Sequence, residues 1–526
     1  MEFKLPNLRI DEIIALKLRV IFEEAGYSLY RMGSFETYDL YMQNKKFLSS
    51  EDIITFTGND GRLMALKPDV TLSIVKNTKS NECRKVYYNE SVFRTDRGTG
   101  EYREINQIGL EYIGSNGKTS EAEILSLAAK SLMVIGEGVL DISHMGFIEA
   151  VMEQFKEPEE YDKAYLALRN KSSHRMREIA LSNGLSKEAT ENLVKLVELN
   201  GPFEEILETA YFLTSSIPKA VSTLDELKSL MEYIDDDSLK KILRLDFSIL
   251  NDVDYYNGII FQGFVKGIPG TVISGGRYDN LMARFNKNCG AIGFALYLDE
   301  LERVGGSTDK KEEIEDSWLN VALPKGRMGD DVLKLFEDAN LSKKGLLTES
   351  KNSRKLVFED EVSRTRFFMV KPGDVDSYVE YGTADIGVVG RDTLLENDLD
   401  VMELMNLDLG RCRLIVAGKE DFKEDPTIPL RVATKYPNIA AKHYASKSQQ
   451  VEIIELKGSV ELAPLTGLAD VIVDIVETGS TLRENNLVIL EEIIDSSALL
   501  VVNRASFRFK NKEIKRVLSY LGGFND

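Results

Sequence analysis

Cysteine and histidine are scarce in this sequence, with three residues of each among 526. The cysteines, Cys83, Cys289 and Cys412, are far apart and odd in number, so they predict neither a disulfide framework nor a zinc site. The histidines do not cluster with one another or with the cysteines. We therefore expect no transition-metal centre built from these residue types.

Long apolar runs are also lacking. None approaches the roughly 20 residues of a membrane span, and residues 1–9 lack the apolar core of a signal peptide. We therefore expect a cytoplasmic protein that does not bind a membrane.

Basic residues are outnumbered, because 66 Lys and Arg face 86 Asp and Glu and the formal net charge is −20. Nucleic-acid binding depends on neutralising phosphates with Lys and Arg, so no nucleic-acid partner is expected. The hydrophobic content of 43% and the charged content of 29% are typical of a globular protein. A chain of 526 residues exceeds one ordinary hydrophobic core and predicts two or three domains.

The clearest domain boundary is the polar segment 305–317, which reads GGSTDKKEEIEDS. It has almost nothing to bury, so it predicts a linker. The sequence therefore divides into a domain at 1–304, a linker at 305–317 and a domain at 318–526.

The first half mixes helical and strand-like patterns. Apolar residues at helical spacing predict a helix over 11–26, and β-rich runs at 85–93 and 107–113 precede another helical stretch at 120–135. An acidic, mostly helical region follows at 157–237, and strand character returns at 252–265. This order predicts an α+β domain with an antiparallel sheet.

The second half alternates short apolar runs with helical patterns. The predicted strands are 319–323, 366–370, 385–389, 430–433, 451–456 and 470–476. The alternation predicts α/β units with largely parallel sheets. Ligands of such folds bind beyond the carboxyl ends of strands, where Lys325-Gly326-Arg327, Gly390-Arg391 and the loop after 476 would lie.

The loop at 474–482 combines an apolar strand with two acids and a Thr-Gly-Ser-Thr turn. A strand, a tight turn and a helix N-terminus would present free backbone N–H groups to a phosphate. Carboxylates beside the loop suit ribose hydroxyls or a magnesium-bound phosphate, so a sugar phosphate is the predicted ligand. A strand-to-helix turn with good capping residues is the alternative.

The second half resembles the short form of ATP phosphoribosyltransferase. The motifs that carry the resemblance are Leu323-Pro324-Lys325-Gly326-Arg327, Ser353-Arg354-Lys355-Leu356, Gly382-Thr383-Ala384-Asp385, Lys435-Tyr436-Pro437-Asn438, Gly458-Ser459-Val460-Glu461 and the loop at 474–482. The resemblance implies a two-lobed α/β domain of the periplasmic-binding-protein-like type. It also implies transfer of 5-phosphoribosyl from phosphoribosyl pyrophosphate to N1 of ATP, with Mg²⁺ and release of pyrophosphate, as the first step of histidine biosynthesis.

The resemblance gives roles to individual residues. Arg327 and Arg354 would grip the departing pyrophosphate, because guanidinium groups bind phosphate oxygens in two places, and Lys325 would add a further charge. The donor phosphate and ribose would be held by Asp474, Glu477, Thr478, Gly479, Ser480 and Thr481, with Glu461 as a further substrate contact. Taken alone, a Lys-Gly-Arg after a strand is more often a solvated turn, and an isolated Arg354 is usually a surface charge. The sequence indicates no general base.

The first half resembles histidyl-tRNA synthetases, and more closely the synthetase-like regulatory subunit of short-form ATP phosphoribosyltransferase. The motifs are Lys67-Pro68-Asp69-Val70-Thr71, Phe93-Arg94-Thr95-Asp96, Asp254-Tyr255-Tyr256-Asn257-Gly258, Gly275-Gly276-Arg277-Tyr278-Asp279 and Gly290-Ala291-Ile292-Gly293-Phe294-Ala295.

Departures from the synthetase pattern argue against aminoacylation. Asn251 stands where an active synthetase has an arginine, and Asp299-Glu300 stand where its last motif offers another. The anticodon-binding domain is absent from the sequence.

The resemblance instead implies a pocket that senses histidine. Its residues would be Asp69, Thr71, Gln107, Glu111 and Tyr256, whose acids, amide and phenol suit an amine and an imidazole N–H. A relic pocket kept for packing is the alternative. We expect histidine to inhibit the enzyme and the chain to form a homo-oligomer, and a small-molecule binding protein without catalysis is the alternative function.

Overall fold

A computed structural model describes residues 8–44, 53–79, 82–95, 101–115, 117–250, 255–305, 318–397, 399–425 and 427–522. The chain forms two compact units, Met1–Glu315 and Asp316–Asp526. The predicted linker lies outside the described residues except for Gly305, and its boundaries stay a prediction.

The first unit contains twelve described strands and thirteen described helices. The strands are β1 (Ser28–Leu29), β2 (Phe35–Thr37), β3 (Thr55–Thr57), β4 (Leu63–Leu66), β5 (Arg84–Thr95), β6 (Tyr102–Ser115), β7 (Gly138–His144), β8 (Asn200–Pro202), β9 (Leu243–Asp246), β10 (Ile259–Val265), β11 (Ile273–Arg277) and β12 (Gly290–Tyr297). The helices are α1 (Ile10–Glu24), α2 (Tyr38–Met42), α3 (Thr71–Asn77), α4 (Lys118–Ile135), α5 (Met145–Met152), α6 (Pro158–Arg169), α7 (Ser173–Ser182), α8 (Lys187–Glu198), α9 (Phe203–Leu213), α10 (Pro218–Met231), α11 (Asp237–Lys240), α12 (Asp279–Arg284) and α13 (Leu298–Gly305).

Helix α1 illustrates how the sequence pattern forms these elements. Ile14, Leu18 and Phe22 recur at four-residue spacing and are buried, so one face of the helix packs into the core. The helix starts after Arg9, whose backbone N–H donates to the Glu12 carboxylate. It ends before Gly26, which takes a positive φ of 84°. The prediction of a helix over this stretch is confirmed.

The central sheet of the first unit has nine strands in the order β1-β5-β6-β12-β11-β10-β7-β9-β8. Its central pairings are antiparallel, as predicted, and its long pair β5–β6 is joined over twelve residue pairs. Two pairings nearer the edges, β1–β5 and β7–β9, are parallel. A separate antiparallel sheet of three strands has the order β2-β4-β3.

The second unit contains eleven described strands and nine described α-helices. The strands are β13 (Leu319–Pro324), β14 (Val357–Asp360), β15 (Thr365–Val370), β16 (Ile386–Gly390), β17 (Val401–Asn406), β18 (Cys412–Lys419), β19 (Leu430–Thr434), β20 (Val451–Glu455), β21 (Val471–Val476), β22 (Leu487–Ser496) and β23 (Ala498–Asn503). The helices are α14 (Arg327–Asp338), α15 (Leu346–Asn352), α16 (Val375–Glu380), α17 (Arg391–Asn397), α18 (Pro437–Ser446), α19 (Leu462–Thr466), α20 (Ser480–Glu484), α21 (Arg504–Phe509) and α22 (Asn511–Tyr520).

These strands form two sheets, ordered β14-β15-β13-β16-β23-β17 and β20-β19-β21-β18-β22. The six predicted strands are present, but the prediction of largely parallel sheets is wrong. Strand β13 pairs in parallel with β15 and β16, whereas β23 is antiparallel to both β16 and β17. In the second sheet β19 is parallel to its neighbours and β18 is antiparallel to its neighbours. Both sheets are therefore mixed.

Each sheet of the second unit is covered on both faces. In β13, Val321 belongs to one hydrophobic cluster and Ala322 to another on the opposite face. In β18, Leu414 and Ile415 divide in the same way. Burial of both faces explains why these strands are continuous apolar runs rather than alternating ones. No helix in the described part of the chain is both long and apolar enough to span a membrane.

Candidate functional site

The predicted phosphate loop has the expected strand–turn–helix form. Strand β21 ends at Val476, and α20 begins at Ser480 after a turn. Gly479 takes a φ of 71°, which favours glycine at this position. The hydroxyl oxygens of Thr478 and Ser480 lie 3.2 Å apart at the exposed side of the turn. The turn therefore presents its polar groups to solvent.

Arg327 meets this loop across the two sheets of the second unit. It is the first residue of α14, which follows β13 of the first sheet, whereas Glu477 follows β21 of the second sheet. Arg327 Nη2 donates to both oxygens of the Glu477 carboxylate, at 2.7 and 2.6 Å. Both side chains are more than half exposed. The structure thus brings together two predicted site residues that are 150 positions apart.

Asp474 lies beneath the loop rather than on its surface. Its side chain is buried, and its Oδ1 is an inaccessible acceptor without a hydrogen-bond partner among the described residues. Burial raises the pKa of the Asp474 carboxyl, the Lys435 ammonium opposes that rise, and Glu461 adds to it. Glu461 and Asp474 are therefore close enough to interact, and the substrate-binding roles predicted for them stay predictions.

Lys435, Asp392 and Tyr436 lie near Asp474, although no role was predicted for them from the sequence. Tyr436 donates to Asp392 Oδ2 at 3.0 Å, and Ser496 donates to Asp392 Oδ1 at 2.7 Å. Asp392 stands at the start of α17 beside the first sheet, whereas Tyr436 precedes α18 beside the second. Each follows the carboxyl end of a strand, and that position was the available signal in the sequence.

Lys325 and Arg354, the other two predicted catalytic residues, are not part of the group formed by Arg327, Glu477 and Asp474. Lys325 is exposed directly after β13, where its backbone N–H donates to Val370 O at 2.7 Å. Arg354 is exposed between α15 and β14, and no described residue pairs with it. Their side chains are accessible to a ligand, but their predicted roles stay predictions.

The predicted histidine pocket of the first unit centres on a buried carboxyl group. Glu111 accepts a hydrogen bond from Thr71 Oγ1 at 2.7 Å and another from Tyr278 OH at 2.5 Å. Burial raises the pKa of Glu111 to about 8, against the two hydrogen bonds, which lower it. Burial also raises the pKa of Asp69, although Leu72 N donates to its Oδ1 at 2.8 Å.

The other two predicted members lie beside this carboxyl. Gln107 is four residues before Glu111 in β6, so both side chains emerge from the same face of the sheet. Burial raises the pKa of the Tyr256 phenol, and the nearby charges of Glu111 and Asp69 raise it further. The structure therefore brings the predicted pocket residues to one region of the sheet.

Glycines lie directly beside the predicted pocket residues. An ideal Cβ built on Gly293 would lie 1.8 Å from Glu111 Oε2, and one on Gly276 would lie 2.8 Å from the Tyr256 ring. A Cβ on Gly109 would lie 2.5 Å from Tyr88 OH. The absence of side chains at these positions leaves room for the neighbouring polar side chains.

Of the two departures from the synthetase pattern, only the one at Asp299-Glu300 falls within the described residues. Asn251 lies outside the described residues. Asp299 accepts hydrogen bonds from the backbone and side-chain nitrogens of Asn106, both at 3.0 Å. Asp299 therefore ties α13 to β6, which is a structural role.

Both units resemble known proteins. The family model for histidyl-tRNA synthetase matches residues 2–301, and the family model for ATP phosphoribosyltransferase matches residues 371–523. A curated ATP phosphoribosyltransferase of Brachyspira hyodysenteriae is 54% identical over 201 residues, which are 38% of this chain and 96% of the relative. The protein of the same name from Thermoanaerobacter sp. is 50% identical over 200 residues, or 38% of this chain and 92% of the relative.

A solved structure resembles the fold. It is an ATP phosphoribosyltransferase regulatory subunit/histidyl-tRNA synthetase from Bacillus halodurans, and it is 19% identical in sequence with a TM-score of 0.52. The match covers 70% of this chain and 100% of the solved chain. The fold and the sites thus define a synthetase-like domain joined to a phosphoribosyl-transferring domain. The chain belongs to the histidyl-tRNA synthetase family through its first unit and to the ATP phosphoribosyltransferase family through its second.

Proposed function

We propose that this chain transfers the 5-phosphoribosyl group of phosphoribosyl pyrophosphate to N1 of ATP and releases pyrophosphate. The name shared by the curated relatives of the second unit supports this reaction. The observation that carries the proposal is the Arg327–Glu477 pair, because it joins the side chain proposed to bind phosphate to the one proposed to bind ribose, beside an exposed Thr-Gly-Ser-Thr turn. The two sheets would form the two lobes of a periplasmic-binding-protein-like domain with this site between them.

The donor would replace the ion pair with two separate interactions. The Glu477 carboxylate accepts from the ribose hydroxyls, while the turn at 478–481 holds the 5-phosphate through backbone N–H groups and hydroxyls. Arg327 is then free to bind the pyrophosphate, where negative charge grows as the C1–oxygen bond breaks. Lys325 and Arg354 would add positive charge to the same leaving group, and Glu461 would contact a substrate.

Mg²⁺ is expected to enter with the substrates. Within the described residues, no cluster of three or more His, Cys, Asp or Glu side chains is suited to hold a metal ion. The exposed Glu477 carboxylate is the kind of oxygen ligand that Mg²⁺ accepts beside phosphates. Bound there, Mg²⁺ would neutralise negative charge on the phosphate groups.

Substitution of the two arginines tests the reaction. We expect Arg327→Ala combined with Arg354→Ala to lower kcat/KM for phosphoribosyl-ATP formation at least about 10³-fold, because each guanidinium would stabilise charge in the transition state. The assay follows the product from ATP and phosphoribosyl pyrophosphate, with circular dichroism to verify folding.

Arg516→Ala is the matched control. Arg516 is an exposed arginine of the same unit that donates to Ser363 O, just before the start of β15 and therefore at the opposite end of the strands from Lys325. Its loss should leave the rate unchanged. Near-normal turnover of the double variant would contradict the roles given to Arg327 and Arg354.

We further propose that the first unit binds histidine and that binding inhibits the transferase. The buried acids Asp69 and Glu111 suit the amine, and Gln107 and Tyr256 suit the imidazole and carboxylate. Calorimetry should give a histidine affinity that is at least about tenfold weaker in Gln107→Ala and Glu111→Gln. Unchanged affinity in both folded variants would place the histidine site elsewhere.

Two further expectations belong to this proposal. ATP and phosphoribosyl pyrophosphate are metabolites of the cytoplasm, so the proposed reaction implies that location. The chain is also proposed to act as a homo-oligomer, which sedimentation of the purified protein would test.

A further inference from the structure

One cavity of the first unit lies apart from the residues of the proposed reaction and of the proposed histidine pocket. It has a volume of about 310 Å³, which is within the range of small-molecule sites. It lies where β7 ends, β10 begins and β11 ends, under the start of α4 and one side of α10. Its polar lining includes His144, Asn257, Arg277, Glu121 and Glu226.

Strand register places this cavity on the opposite face of the sheet from Glu111. Glu111 is paired with Gly293, which is paired with Gly276, so these residues share one face. Arg277 is the next residue after Gly276 and therefore points to the other face. His144 is paired with Ile259, the neighbour of Ile260, which in turn is paired with Gly276. His144 and Arg277 thus lie on the face away from the Glu111 pocket.

His144 offers one fixed hydrogen-bond donor to the cavity. Its Nδ1 accepts from Gly146 N at 3.1 Å and caps the N-terminus of α5. Burial, aided by the charge of Arg277, lowers the pKa of His144 to about 4, so the ring is neutral near pH 7. A neutral ring that accepts at Nδ1 carries its proton at Nε2.

An acceptor faces this donor across a gap. Glu226 Oε2 lies 3.9 Å from His144 Nε2, which is too far for a hydrogen bond. A ligand that holds a donor group and an acceptor group close together would satisfy both sides.

The charges around the cavity favour a ligand with a cationic group. Arg277 donates to Glu121 at 3.0 Å and to Asp279 at 2.9 Å, so its charge is already matched by two carboxylates. Glu226 adds another negative charge, whereas Lys118 supplies one further positive charge at the rim. The ionised side chains therefore sum to one excess negative charge.

We propose that this cavity binds a free α-amino acid. The ammonium group donates to Glu226, the carboxylate accepts from His144 Nε2, and an apolar side chain packs on the buried Leu227, Leu230 and Ile259. An α-amino acid fits because its amine and carboxylate are held on one carbon, which matches a donor and an acceptor that face each other across a short gap.

Thermal unfolding of the full chain with each common L-amino acid in turn would find the ligand. Calorimetry with the stabilising amino acid then compares wild type with Glu226→Gln and His144→Asn. Asparagine keeps an N-cap acceptor for α5 but lacks the Nε2 donor. We expect the affinity to be at least about tenfold weaker in each variant, because each loses a hydrogen bond to a charged group.

Two controls separate this site from other effects. Glu208→Gln removes an exposed acid from α9, and Glu111→Gln alters the other pocket, so both should leave this binding intact. If histidine itself is the ligand, its stoichiometry should fall from two sites per chain to one in Glu226→Gln. The proposal is overturned if no amino acid stabilises the protein, or if every stabilisation persists in both Glu226→Gln and His144→Asn.

Discussion

The stability of the first unit is expected to depend on pH through protonation of the Glu111 carboxyl group. Its pKa in the folded protein is about 8, above the ordinary value of about 4.5, because the side chain is buried. Between these two values the folded protein binds a proton that the unfolded chain has released. The stability that this proton contributes is therefore fully present below the ordinary pKa and is lost as pH rises toward 8.

Denaturation as a function of pH measures this effect. The free energy of unfolding of wild type should fall relative to Glu111→Gln by up to about 1.4 kcal/mol per pH unit between pH 5 and 8. Urea unfolding at several pH values gives both curves. Parallel curves for the two proteins would mean that Glu111 does not titrate in this range.

Only some of the residues at the candidate site were predicted from the sequence. Arg327 and Glu477 were found because each belongs to a motif with a strand before it, and the structure joins them. Lys435, Asp392 and Tyr436 each follow a strand too, and Lys435 and Tyr436 belong to a motif, but neither feature assigned a role to the three side chains. Lys435 and Tyr436 lie near Asp474 because β19 is the neighbour of β21 in one sheet. Asp392 follows β16 of the other sheet, so its proximity depends on how the two sheets meet. Local sequence patterns encode neither arrangement.

At the scale of elements, the close packing of β12 against β6 depends on a missing side chain. A Cβ on Gly293 would lie 1.8 Å from Glu111 Oε2 and 2.4 Å from the backbone oxygen of Leu110, which cannot move without disturbing the strand. We expect Gly293→Ala to lower the free energy of unfolding by at least about 3 kcal/mol. Urea denaturation measures the loss.

Gly33→Ala is the control for this prediction. A Cβ on Gly33 would have no atom nearer than 3.8 Å, so the variant should retain most of its stability. Similar stability of the two variants would show that β12 and β6 can separate without cost.

The positions of the strands could be predicted, because a strand that is buried on both faces appears in the sequence as an apolar run. The direction of each strand could not be predicted. The run Leu430–Thr434 is apolar, and it forms β19 with both neighbours parallel. The run Ala498–Asn503 is equally apolar, and it forms β23 with both neighbours antiparallel. The difference arises because the chain passes into the second sheet after β17 and returns to the first after β22. An apolar run records burial on two faces but not the direction of the strand.

At the scale of the whole molecule, regulation requires a free-energy coupling between two units with separate hydrophobic cores. If histidine weakens the binding of phosphoribosyl pyrophosphate by some factor, phosphoribosyl pyrophosphate must weaken histidine binding by the same factor. A factor of 5 to 150 is typical of such couplings, or about 1–3 kcal/mol. Calorimetry of histidine binding to the full chain, with and without saturating phosphoribosyl pyrophosphate, measures this factor as a change in histidine affinity.

The same coupling can be measured from the other side with Glu111→Gln as the control. The affinity for phosphoribosyl pyrophosphate should fall with histidine in wild type and stay constant in the variant, because the variant lacks the carboxyl group proposed to hold the amine. An inhibition by histidine that changes neither affinity would mean that histidine acts on the chemical step or on product release. Reciprocity does not constrain those steps, since it holds for binding free energies and not for kcat.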